Sequence, residues 1–549
     1  MTFWTNTAAA LFTLMGTTAL HAQAAAPDVI LFNGKIITVD NRFSIAQAVA
    51  VRGDRIVAVG TSQDINRLAG PATRRIDLGG KSVVPGMIDN HAHIMEEGRI
   101  WLQELRLDGV TTRKAALDMI RAKAAATKPG DWVYVLGGFT VDQFTDNKKD
   151  FTASELDAVA PNNPVQLQFT RCCTYINSKT IEVMGLDKKT DPWIRRDAMG
   201  RPTGIISVEG AGAISRARPE APESIYESGS RTMWKDMARA GLTTVGGPCP
   251  NEDLDAYRKW ADEGKLTMRF YCNISVPARN PMQADATVAA IPQLKKSMFR
   301  GNPYFDFYTY GEHAYQPVGD NMVAVKATAT KADFDQWGRI AREIAKAGLP
   351  LNQHATLEGS IDGFLDQIEE INKEYPVKNL RWALIHLDQL TPVQIERMKK
   401  LGLYAGVQPR STIMGDIFHR VHGESADHTP PFRDVQNSGI LWGLGTDAFE
   451  VNQYRPFTTL GFAVTGKMVG GDVVNKQTIS REDALIAHTR SNAYFLSQED
   501  NLGSIAPGRL ADLVVLDKDY LTVPADQIKD IQSVMTMVGG WITWDANAK

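Results

Sequence analysis

From about residue 85 onward, short apolar runs alternate with stretches whose apolar residues recur three and four positions apart. The runs are VVPGMIDNHAHI, GLTTVGG, TMRFYCNISV, YFDFYTYGE, LPLNQHA, RWALIHL, LYAGVQP and GILWGLGTDAF. Between them lie helical patterns such as KADFDQWGRIAREIAKAG and TPVQIERMKKLG, the second with Thr391 placed to cap it. Eight strand–helix units predict an α/β fold built on a (β/α)8 TIM barrel over residues 85–498. Residues 131–230 break this rhythm and are expected to form an insertion between the first and second strands.

The chain ends have a different texture. Residues 27–84 and 499–549 both consist of β-rich runs punctuated by turns, with Gly34, Gly53–Asp54 and Gly79–Gly80 as hairpin-like breaks in the first. Neither segment alone has enough strands to close a core, so a small β-sandwich domain built from both chain ends is predicted. Ahead of them, residues 1–26 carry an apolar stretch from Ala8 to Leu20, then small residues at Ala22, Ala24 and Ala26. That is the pattern of a cleavable signal peptide, although no Lys or Arg precedes the apolar stretch. It is too short and too Thr-rich to span a bilayer. A periplasmic or secreted protein, with no membrane anchor once the leader is removed, is the expectation.

Composition narrows the function classes. A net charge of −3 over 549 residues gives no electrostatic case for nucleic acid. Four Cys exclude a disulfide-stapled scaffold, and the adjacent Cys172 and Cys173 are poorly placed to bridge each other. With 43% hydrophobic and 22% charged residues the chain can bury a large core. A small-molecule substrate fits this balance, and a homo-oligomer is the ordinary state for a soluble enzyme.

The positions of the histidines carry the chemistry. The first run ends Asp89-Asn90-His91-Ala92-His93, and residues two apart on a strand point to the same side. His354 closes LPLNQHA and His386 closes RWALIHL. Asp447 ends GILWGLGTDAF, a run too apolar to hold an unpaired carboxylate without large cost. Each alone reads as a surface or packed residue. Together they place five metal-competent groups at the C-terminal ends of four strands, the face where barrel active sites are built. Four imidazoles and a carboxylate suit Zn²⁺ or another first-row divalent metal rather than an all-oxygen Mg²⁺ or Ca²⁺ cage.

PGMIDNHAH, the two lone strand-end histidines and GLGTDAF resemble the amidohydrolase superfamily. RDAMGRPTGIISVEGA, YINSKTIEVMGL, Gln408-Pro409, PFRDV and SIAPGRLADLVVLD further resemble its branch around the N-substituted formamide deformylases. The resemblance implies that His91, His93 and Asp447 hold one metal and His354 and His386 a second. A divalent ion lowers the pKa of a bound water from 15.7 to roughly 7. Asp447 would then move the proton to the leaving group, and His386 or a nearby donor would stabilise the oxyanion.

Two departures stand out. Many relatives end the fourth strand with a carbamylated lysine that bridges two metals, but NPYFDFYTYGEHAYQP contains no Lys. Glu312 is the natural substitute, with Asp306 or Tyr310 taking its place under a shifted alignment; one or two metals per chain remain open. Relatives also often have a His five residues before the Asn that aligns with Asn177. Cys172 stands there, with Arg171 beside it, and both become candidate substrate-binding residues, Arg171 for a carboxylate.

The leading expectation is a secreted metal-dependent hydrolase of a small-molecule C–N bond: an amide, N-formyl group, carbamate or cyclic imide. The same site would serve an ester or lactone hydrolase, or a metal-dependent isomerase or decarboxylase. A non-catalytic binding protein on the same barrel is the third reading.

Overall fold

Seven of the eight apolar runs carry too many β-branched and aromatic residues for comfortable helix, and all eight become strands. They are β1 (Met87–Asp89), β2 (Leu242–Pro248), β3 (Arg269–Ile274), β4 (Phe305–Tyr310), β5 (Asn352–Ala355), β6 (Ala383–His386), β7 (Tyr404–Val407) and β8 (Trp442–Leu444). The computed structural model describes residues 25–170 and 172–548. Nearly all of the expected leader, residues 1–24, and the candidate Arg171 lie outside the described residues.

The strands form two parallel four-stranded sheets, ordered β4-β3-β2-β1 and β5-β6-β7-β8. At one seam Tyr310 and Leu351 form a single parallel bridge, and Tyr310 N donates to Pro350 O at 3.0 Å. At the other, Asp447 N donates to His91 O at 2.9 Å and His93 N to Ala448 O at 2.7 Å. The ladder is broken at both seams. Pro350 has no amide to donate, and β1 and β8 are only three residues long.

Helices follow the apolar spacing. Helix Lys331–Lys346 is capped by Thr330, which accepts from Asp333 N, and buries Phe334, Trp337, Ile340, Ala341 and Ile344 along one face. Thr391 caps helix Pro392–Leu401 as expected. Among the described residues no helix is long and apolar enough to cross a membrane.

The unit between β1 and β2 is a five-stranded sheet, ordered Ile194–Arg196, Pro202–Ser207, Cys173–Ile176, Val165–Phe169, Val133–Leu136. It starts earlier in the chain than residue 131, because helix Arg113–Ala126 buries Ala116 and Ile120 in the same apolar cluster as Val133, Leu167 and Tyr175. Its C-terminal boundary falls before 230. Helix Tyr226–Ala240 puts Met233, Trp234 and Met237 into the main core instead.

Strands from both chain ends share one six-stranded sheet: Ser82–Pro85 pairs with Lys35–Ile37 on one side and with Leu513–Leu516 on the other. Val83, Leu513, Val515 and Met537 of that sheet share a buried cluster with Leu31, Val49 and Ile56 of a second, four-stranded sheet. Arg269, on β3, ties the C-terminal strands to the main body. Its Nε and Nη2 donate to the two carboxylate oxygens of Asp512, both at 2.8 Å, and both residues are buried. Cys249, just beyond β2, is disulfide-bonded to Cys272 on β3, with Cα atoms 5.5 Å apart.

Asp512→Ala leaves the Arg269 guanidinium buried without its anion, so the unfolding free energy is expected to fall by about 3–5 kcal/mol. A urea transition with the parent's midpoint would contradict the role given to this pair.

Candidate metal centre

Each candidate ligand sits at, or a few residues beyond, the C-terminal end of a strand. Two glycines let the backbone reach its position. A Cβ on Gly445 would lie 2.2 Å from Asn90 Oδ1, so only glycine lets the segment after β8 pass β1 on its way to Asp447. Gly311 (φ +150°) would put a Cβ 2.3 Å from Asn352 O, and it turns Glu312 inward. His386 (φ 78°) and Asp447 (φ 62°) both hold left-handed backbone. Such conformations cost a non-glycine residue of the order of 1–3 kcal/mol and recur at active sites.

Glu312 is the centre of the arrangement. Its Oε2 lies 3.5 Å from His91 Nε2 and 3.7 Å from His93 Nε2. Its Oε1 lies 2.9 Å from His354 Nδ1, 3.2 Å from His386 Nε2 and 3.5 Å from His313 Nε2. Asp447 Oδ1 faces the first pair, 3.7 Å from His91 Nε2 and 3.6 Å from His93 Nε2. The sequence alternatives for Glu312 are used elsewhere. Asp306 accepts the amides of Arg300 and Gly301, and the Tyr310 hydroxyl donates to Val276 O at 2.9 Å.

These residues fit a metal on three counts. The nitrogen–oxygen separations of 3.5–3.7 Å at His91 and His93 exceed hydrogen-bond length. They approach the edge of a tetrahedron with bonds of about 2.0–2.1 Å to a central ion, roughly 3.4 Å. Both ring nitrogens of His91 and Nδ1 of His386 are buried without a hydrogen-bond partner. Ligand atoms also converge in three groups: His91–His386–Asp447, His91–His93–Glu312 and Glu312–His313–His354.

The electrostatics agree. Burial opposes ionisation of Glu312, but the surrounding imidazoles, His91 foremost, hold its carboxyl well below the usual range. Asp447 is likewise held low against its burial, by His386 and Arg410. Burial pushes His91 down to about 4 and His386 well below its ordinary value, leaving both neutral and able to offer lone pairs. His354 is raised to about 9 despite its burial, by Asp320 and Glu312, so a cation arriving there displaces a proton.

A polar layer beneath fixes these groups. Asp89 accepts from His91 N, Thr446 N and Thr446 Oγ1, tying β1 to the segment after β8. Gln408 accepts His386 N at 2.8 Å and donates to Asn90 Oδ1 at 2.7 Å; Asn90 in turn donates to Asn492 Oδ1 at 3.0 Å. Buried Arg410 pairs with Asp388 and donates from Nη1 to Asp447 Oδ2 at 3.3 Å. The cavity over the site measures about 360 Å³, with His313, Asp320, Met322, Arg410 and Val451 in its walls.

Thus His91, His93, Glu312, His354, His386 and Asp447 come together. Cys172 does not join them: it is exposed on the turn after Val165–Phe169 and is absent from the cavity walls. The strand pair there serves its own sheet. Its reach toward the site is through Gln168 and Thr170, which donate to Glu450 Oε1 and Glu450 O. His419 and His422 belong to helix Ser411–His422, whose His422 faces Met322 O at 3.0 Å, and His488 is buried away from the cavity. Sequence reasoning missed Arg410 and Asp320. Arg410 follows Gln408-Pro409 at a strand end, the rule that located the others; Asp320 lies in a loop with no such signal.

The model of the Amidohydrolase family matches residues 74–543. The N-substituted formamide deformylase of Arthrobacter pascens is 27% identical over 543 residues, covering 94% of this chain and 98% of that protein. A metal-dependent hydrolase from Pyrococcus furiosus superposes with a TM-score of 0.63 at 22% identity, over 90% of this chain and 100% of that one. A zinc-bound adenosine deaminase from Xanthomonas campestris gives 0.53 at 14% identity, over 95% and 93%. With the family matched along most of its length and the ligands gathered at one set of strand ends, the chain belongs to the amidohydrolase family.

Proposed function

We propose that the protein hydrolyses an N-formyl or related small amide outside the cytoplasm, with one or two Zn²⁺ or other first-row divalent ions. The observation that carries this reading is Glu312, set between His91/His93 and His354/His386 with Asp447 alongside. His91, His93 and Asp447 would hold one ion, His354 and His386 the other, and Glu312 both. Such ions polarise a carbonyl and bring a water's pKa toward 7.

The chain supplies the rest. Arg410 occupies Asp447 Oδ2, so Oδ1, on the histidine side, is the oxygen that takes the proton of the attacking water. Returned to the leaving nitrogen, that proton lets it depart as a neutral amine while the acyl carbon keeps the water's oxygen. A cavity of about 360 Å³ suits a small substrate, with Met322 and Val451 as an apolar wall for its N-substituent. The 27% identical N-substituted formamide deformylase supports this substrate class. The two parallel sheets are read as halves of one (β/α)8 barrel and the terminal sheets as a β-sandwich. The Cys249–Cys272 bond supports export to an oxidising compartment, as the leader-like N-terminus suggests.

When metal-replete enzyme is incubated with N-formyl, N-acyl, carbamate and lactone compounds, the N-formyl or N-acyl compounds should give formate or carboxylate plus amine, a total gain of one water by mass, while lactones are left unopened. Asp447→Asn should lower kcat by about 10²–10⁴-fold. An unchanged substrate mass, or full activity after complete chelation, would overturn the proposal. Sequencing the exported protein should find an N-terminus within about ten residues of Ala26; an intact Met1 would remove the compartment assignment.

A further inference from the structure

We infer that Asp320 is a positioning residue that fixes His354 in one tautomer and one ring orientation, with Nδ1 as its metal-binding atom. The inference rests on the reading of His354 as a ligand. It adds a residue from the loop between β4 and helix Lys331–Lys346, where the ligand pattern gives no reason to look.

His354 is held at both ring nitrogens. Nδ1 faces Glu312 Oε1 at 2.9 Å, while Nε2 faces Asp320 Oδ1 at 3.0 Å and Asp320 O at 3.2 Å. A half-turn of the ring would put C–H groups at both places and lose every one of these contacts. A backbone carbonyl can only accept, and an ionised carboxylate can only accept. Nε2 therefore keeps its hydrogen for these two acceptors, and Nδ1, which faces Glu312 Oε1, is the nitrogen left to give up its proton and offer a lone pair when a cation takes that place.

Asp320 is itself fixed. Thr356 N donates to both of its oxygens (3.3 and 3.1 Å), Thr356 Oγ1 to Oδ1 at 2.5 Å and Leu357 N to Oδ2 at 2.8 Å. These donors sit immediately after β5, the strand that carries His354, so the carboxylate and the imidazole are referenced to one stretch of backbone. With its oxygens taken up by these donors, Asp320 is not a ligand in waiting, and it belongs to none of the three convergent ligand groups. A partner of this kind on a ligating histidine is typically worth 10–100-fold in metal affinity.

The test is a competition titration of metal-free full-length protein with Zn²⁺ against a chromophoric chelator, for the parent and for Asp320→Asn. The amide keeps the shape but cannot accept at both positions. The second equivalent should bind about 10–100-fold more weakly, while the first, at His91, His93 and Asp447, keeps its affinity. A parent-like second affinity in Asp320→Asn would overturn the inference, as would equal weakening of both equivalents together with a lowered Tm. A parent that binds only one equivalent would overturn the two-ion reading as well, and it is recognised in the parent alone. The parent also offers a measurement independent of any variant. In ¹⁵N-histidine-labelled, zinc-loaded protein, His354 should show a protonated Nε2 and a metal-shifted Nδ1; the reverse pattern would overturn the assignment.

Discussion

An ionised carboxylate removed from water is stable only where other groups replace the solvation it has lost. Glu312 is buried and has five imidazoles around it, from His91, His93, His313, His354 and His386. Two of these, His91 and His386, are driven neutral by their own burial. Neutral, they offer the anion no charge: His386 reaches it with one nitrogen at 3.2 Å, and His91 Nε2, 3.5 Å away, is without a hydrogen-bond partner. The arrangement makes chemical sense once positive charge sits between the nitrogens and the oxygens, and much of the surrounding structure serves to hold those atoms apart by the right distance.

That requirement reaches into the backbone. Left-handed conformations at His386 and Asp447, and glycines at 311 and 445 where any side chain would collide, are the local costs of bringing strand ends to one point. Burial of the apolar core under the strands offsets them, together with the Asp89–Thr446 and Gln408–Asn90–Asn492 hydrogen bonds that join neighbouring strand ends. The terminal sheets add the Arg269–Asp512 pair from the opposite side of the chain. None of these contacts lines the cavity, but Asp89 and Gln408 hold the backbone amides of His91 and His386 directly.

How much of this is legible in the sequence depends on whether the signal is local. The eight strands are readable because each is a short apolar run, and the helix cap at Thr391 because capping acts over three residues. His91, His93, His354, His386 and Asp447 stand at the ends of those runs. Glu312 is readable only as one of three choices, since nothing local separates it from Asp306 or Tyr310; the structure separates them by giving those two other partners. The Cys249–Cys272 bond depends on the register of β2 against β3, and Asp320 on a loop folding back over the start of the next helix. Cys172 misleads for the converse reason. Its place relative to Asn177 suggests the pocket, but the hairpin that carries it points that side chain to solvent.

Whether Glu312 joins two halves of one metal centre is tested most directly by anomalous diffraction from zinc-loaded crystals. Two peaks about 3.5–4 Å apart are expected, with the Glu312 carboxylate between them and one oxygen directed at each. A single peak with Glu312 turned away from it, or two peaks with no carboxylate between them, would contradict that role for Glu312.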